Sequence, residues 1–230
     1  MNSITPSTTK PVSFCVTLGR VHALRLEGDA RTADLAPAMK ATTDRLECAG
    51  MARADAVRAW KAVGLMRTDA AKALVVQVHV AWYQSRAAAD VAGKPEAFQA
   101  AFPEALSSML RGGLAKRVPK IHSLVERLAA TEEGASKTLT DALAAFEVAQ
   151  AAYVEARRKA KDATHAVHEA RRCWHEAYRL SFMAVATRIG SARAAPTFFL
   201  PMAPHAAPPP VPEGGGGMTP VPAQSAPQPA

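Results

Sequence analysis

Aromatic residues are scarce in this chain: they make up 6% of 230 residues, although 49% of the residues are hydrophobic. Alanine supplies much of the difference. Alanine is the strongest helix former and fills little volume, so this composition excludes a wide, aromatic-rich core and suits closely spaced helices. Cysteine is also sparse. Cys15, Cys48 and Cys173 are odd in number and widely spaced, with no CxxC pair, which argues against a disulfide framework and points to a reducing, cytoplasmic setting. Met1 to Pro11 is polar and proline-containing, without the apolar stretch of a signal peptide. No window of 18 apolar residues exists, so no membrane span is expected. Charged residues are few, at 21%, but unbalanced, giving a formal net charge of +8. That excess is compatible with nucleic acid, an anionic surface or an acidic protein and selects none of them.

What the sequence does have is a period. Ala135, Ala142, Ala149, Ala156, Ala163, Ala170, Ala177 and Ala184 recur every seven residues. A second row, Leu139, Phe146, Tyr153, Ala160, Val167, Trp174 and Ser181, keeps a 3–4 alternation with the first. Such alternation predicts one long helix over about 132–190 that holds a seam against another helix. A charge ladder follows the same period. Glu155, Asp162, Glu169 and Glu176 are each followed three residues later by Arg158, His165, Arg172 or Arg179, so they share one exposed face. Thr131-Glu132-Glu133 reads as the cap of this helix.

The rest of the chain is organised around a partner for that seam. Residues 1–32 read as an arm or a small hairpin turning at Gly19, because Val12, Phe14, Val16 and Leu18 alternate. Helices are expected over about 34–63 and 67–93, with Gly64 and Arg67-Thr68-Asp69 as a break and Thr68 or Asp69 as a cap. The run Leu74 to Tyr83 (LVVQVHVAWY) has strand-like β-branched content, but its flanks propagate helix, and helix is the expectation. Gly93, Pro95, Pro103 and Gly112-Gly113 punctuate 95–111 into short helical pieces, and a further helix over 119–130 is expected to start at Pro119. The predicted fold is all-α: an elongated antiparallel helical bundle or coiled-coil hairpin. Residues 191–230 hold eleven of the seventeen prolines and four consecutive glycines, so they read as a disordered proline- and glycine-rich tail with polyproline character. Phe198-Phe199-Leu200 is its apolar exception, suited to docking on the bundle or on a partner.

Chemistry-bearing motifs fall short. His168-Glu169 and His175-Glu176 begin like the zinc-protease helix motif, but Arg172 and Arg179 occupy the position of the second histidine, and guanidinium does not ligate zinc. His165, Glu169, Cys173 and Glu176 span one helix face without a second copy of a carboxylate-histidine pair to complete a metal site. Cys173, on an alanine-lined helix, reads as packing rather than as a nucleophile. No catalytic residue, metal or cofactor is expected, and the chain is not expected to be an enzyme.

Three functions follow. The first is a non-enzymatic helical scaffold or adaptor that binds a protein partner or a second copy of itself, with Phe198, Phe199, Leu200, Pro208, Pro209 and Pro210 as candidate recruitment residues. The second is a nucleic-acid-associated helical protein, with Arg157, Arg158, Lys159 and Lys161 as its basic patch. From 151 to 195 there are nine bases against four acids. The third is a coat on a lipid or storage-granule surface. In composition alone the alanine-rich helices resemble those of granule-coating phasins, which implies helices that spread on such a surface.

Overall fold

The computed structural model describes residues 10–130, 133–191 and 194–199. Its α-helices are α1 (Val12–Glu27), α2 (Ala36–Ala92), α3 (Pro95–Ala101), α4 (Leu106–Met109), α5 (Leu114–Ala129) and α6 (Glu133–Ile189), and 3-10 turns occupy Ala33–Leu35 and Ala195–Phe198. Among the described residues there is no strand. The all-α elongated architecture is therefore present as the periodicity indicated, built on two helices of 57 residues each. At 1.5 Å per residue each is about 85 Å long.

α2 and α6 run antiparallel in one register. Thr43 meets Trp174, Arg53 meets Thr164 and Gly64 meets Tyr153, so ten and then eleven residues up one helix match the same steps down the other. The hidden centre of the α6 seam is the row from Leu139 to Ser181. Every member is buried except Tyr153, which is half-buried. Leu143, Tyr178 and Val185 join it. The alanine row lies beside this centre, half-buried throughout the described chain except at buried Ala170.

Both ends of the rod are thickened and its waist is bare. At one end α1, the start of α2, the end of α6 and the 195–198 turn enclose a core that includes Cys15, Leu26, Met39, Leu46, Trp174, Tyr178 and Phe199. At the other end α3, α4 and α5 close over Leu74, Val78, Leu139, Leu143 and Phe146, with Phe102, Met109, Ile121 and Leu124. Between them, from residue 47 to residue 73, α2 has no buried residue. The two helices are held there by a thin contact. Trp60 and Tyr153 lie 6.3 Å apart, and the Arg67 guanidinium sits 4.5 Å above the Tyr153 ring.

Four expectations are corrected. Residues 12–27 form a helix, not a hairpin or an arm. Cys15, Leu18, Gly19, His22, Ala23 and Leu26 are buried at helical spacing, and the polar His22 in the middle of that stripe hides the period. α2 passes unbroken through Gly64 and Thr68. The Thr68 hydroxyl donates back to the Gly64 carbonyl at 2.9 Å, the geometry of a residue inside a helix and not of a cap starting a new one. α5 starts at Leu114, five residues before Pro119, where the ring disturbs only the second turn. The tail boundary at residue 191 falls too early, although docking on the bundle was one of the two outcomes expected for Phe198 and Phe199. Ala194 to Phe199 fold back on the bundle, and the expectation for the remainder of the tail, like that for the Thr131-Glu132 cap, lies outside the described residues.

Candidate functional site

The candidate residues separate into three places. Phe198 and Phe199 are held at the tip of the rod. Phe199 stacks on the His22 ring with centroids 4.1 Å apart and meets Tyr178 and Phe182 at 5.1 and 5.2 Å. The backbone of this segment is tied as well. Arg25 donates to the carbonyls of Thr197 at 3.0 Å and Phe199 at 2.8 Å, and His22 Nδ1 lies 3.0 Å from the carbonyl of Phe198. The Phe199 ring is thus spent inside the chain's own core and Phe198 is half-buried against it. Leu200 and Pro208 to Pro210 lie outside the described residues.

His22 is the chemical centre of that clamp. Its Nε2 lies 2.8 Å from the Ser181 hydroxyl, both groups being buried. Burial pushes its pKa down from 6.5, opposed by the Phe198 carbonyl and aided by the nearby Arg25 charge. A neutral imidazole accepting from Ser181 and donating to Phe198 satisfies both nitrogens. A carbonyl, not a carboxylate, orients the ring, and Phe199 covers it, so the pair reads as a fastening of the segment after α6. Burial likewise raises Tyr178 above its ordinary range.

The basic patch lies on the waist. Arg158 is bound to Glu155 at 2.8 Å and to Asp162 at 3.3 Å, and Lys159 reaches Glu155 at 3.8 Å. These exposed pairs contribute little to stability, but they occupy two of the four bases. Arg157 and Lys161 project into solvent. Of the ladder, Glu155–Arg158 and Glu169–Arg172 form as spaced, the latter at 2.7 Å. His165, His168, Glu169 and Glu176 are exposed, and among the described residues no three His, Cys, Asp or Glu side chains converge as a metal would need.

The third place was not singled out as a site by the sequence reading. The run Leu74 to Tyr83 is helical, and it is apolar on both of its faces. Leu74, Val78 and Ala81 are buried toward the bundle, whereas Val76, Val80 and Tyr83 look away from it, with Val76 56% and Tyr83 64% exposed. Leu65, Met66 and Val91 extend this outer surface, at 70%, 65% and 90% exposed. A helix that is apolar all round normally has neighbours all round. The signal was in the sequence, in the strand-like density of valines, but only the structure shows which valines α6 leaves uncovered. No family, curated protein or solved structure shows a significant match to this chain. No helix among the described residues is long and apolar enough to cross a membrane.

Proposed function

We propose that this protein is a helical scaffold. A long rod carries an adhesive apolar face on the outer side of α2, and the segment clamped at its tip precedes the proline-rich sequence that follows Phe199. The observation that carries this reading is the exposed face built around Val76, Val80 and Tyr83. Monomeric proteins seldom leave a contiguous apolar surface of this kind without a partner for it. Proline-rich chain beyond Phe199 supports recruitment as a second task, because polyproline segments dock with little ordering cost.

The test is affinity capture with three forms of the full-length background: the wild type, a chain ending at Phe199, and Val80→Glu with Tyr83→Glu. Capture is read by mass spectrometry and nucleic-acid staining. The scaffold reading expects each altered form to lose a distinct set of contacts. It fails if both keep every partner and the same oligomeric state. Nucleic-acid association is the alternative, supported by the exposed Arg157 and Lys161. It would show as staining that disappears on neutralising them and falls steeply with salt.

A further inference from the structure

The outer face of α2 carries its own 3–4 alternation: Met66, Asp69, Ala73, Val76, Val80, Tyr83, Ala87 and Asp90, every one exposed. This is the spacing with which α6 holds α2, but here nothing among the described residues covers it. We propose that this row is the seat of a second copy of the same chain, with the two α2 helices packed antiparallel across a two-fold axis. The inference rests on the scaffold reading and names its partner.

The row decides the partner by its symmetry and its charges. Because the alternation of threes and fours reads the same from either end, it maps onto itself in an antiparallel pair. With the axis between Val80 and Tyr83, Val80 faces the partner's Tyr83 and Val76 faces the partner's Ala87. Ala73 then faces the partner's Asp90, and the neighbouring Lys72 lies beside that carboxylate. One opposite-charge contact, Lys72 with the partner's Asp90, closes one end of the apolar centre, and the two-fold axis repeats it at the other. Within one chain Lys72 makes an exposed contact with Asp69 at 3.5 Å, which costs little to share. Small Ala73 and Ala87 next to Val76 and Val80 allow close approach, and Tyr83 supplies the bulk.

Other occupants fit less well. The chain's own residues 200–230 carry a single charged side chain, Glu213, and cannot answer both Lys72 and Asp90. An anionic lipid surface would meet Asp69 and Asp90 within the row itself.

The test uses the full-length protein in sedimentation equilibrium and light scattering. The wild type is expected to be a dimer, and Val80→Glu with Tyr83→Glu a monomer of unchanged helical circular dichroism, since both sites are exposed. Lys72→Asp alone and Asp90→Lys alone are each expected to weaken the dimer by roughly tenfold or more. Combining them restores it, because the charges then match in reverse. A wild-type monomer at about 100 µM, well above the Kd of a standard interface, overturns the proposal, as does a dimer that ignores all four substitutions. If the chain is a monomer and the Val80→Glu, Tyr83→Glu form loses a captured protein, self-pairing is wrong and the scaffold reading stands. If that monomer instead loses binding to vesicles of phosphatidylcholine and phosphatidylglycerol, a lipid surface is the occupant. If it loses nothing, both readings fall.

Discussion

The indole Nε1 of Trp174 donates to the hydroxyl of Thr43 at 3.2 Å, and that hydroxyl donates in turn to the Met39 carbonyl at 2.7 Å. The pair pins α6 to α2 at the point where α1 crosses both. Gly19 makes the crossing feasible. A Cβ there would collide with Thr43 Oγ1 and stand 2.7 Å from Trp174 Nε1, so α1 packs on α2 against the Trp174 indole only because this residue has no side chain.

Gly19→Ala is therefore expected to destabilise the fold by about 2–3 kcal/mol, as overpacking of a tight contact does, even though alanine is the better helix former. Thr43→Val, which keeps the shape and orphans a buried indole N–H, should cost about 1–2 kcal/mol. Urea unfolding followed by circular dichroism measures both. A neutral Gly19→Ala would mean that α1 does not lie at this distance.

Gly64 predicts the opposite sign. It lies inside α2, and a Cβ added there meets Tyr153 Cε2 at 3.6 Å, an ordinary contact. Gly64→Ala should raise stability by about 0.5–1 kcal/mol, the cost of glycine inside a helix, readable as a higher Tm in the same assay. A loss would indicate that α2 bends at this residue.

The imidazole of His22 gives the rod tip a pH dependence with a definite sign. Its pKa is lowered in the fold from 6.5, so above that value both folded and unfolded forms are neutral and its contribution is fully present. As pH falls below 6.5 the unfolded chain takes the proton first, and stability declines until the folded form protonates as well. The slope cannot exceed about 1.4 kcal/mol per pH unit for one group. His175, lowered by burial and by Arg171, acts in the same direction. Unfolding free energies between pH 7.5 and 5 should fall for the wild type and fall less for His22→Gln, which is less stable at neutral pH but has no proton to gain. Equal slopes in the two would remove His22 as the cause.

Much of this architecture was legible because α6 repeats one local rule for 57 residues, and a rule repeated that often outweighs local noise. α1 was not, because its buried stripe is centred on His22, whose two nitrogens are satisfied by Ser181 and Phe198, residues more than 150 positions away. No local pattern reports such partners. Gly64 and Thr68 misled for the converse reason. They are residues that end helices when nothing else holds the chain, and here the packing of α6 does. The docking of Phe199 depends on Arg25 and His22 in the same non-local way. The outer row of α2 was written in plain spacing, but its exposure is a property of what does not cover it, and that is visible only in three dimensions.

The account stands on α2 being one unbroken rod held against α6 from end to end. The most direct measurement is pulsed electron–electron dipolar spectroscopy on spin labels at Arg45→Cys and Ala88→Cys, both exposed positions on α2. The native cysteines are replaced by alanine, and the sample is diluted with unlabelled protein to leave only distances within one chain. A continuous helix places the two backbone positions about 65 Å apart, so a single narrow distribution near that value is the predicted result. A broad or markedly shorter distribution would mean that the rod breaks near Gly64 and Thr68, and both the scaffold and its outer seam would lose their frame.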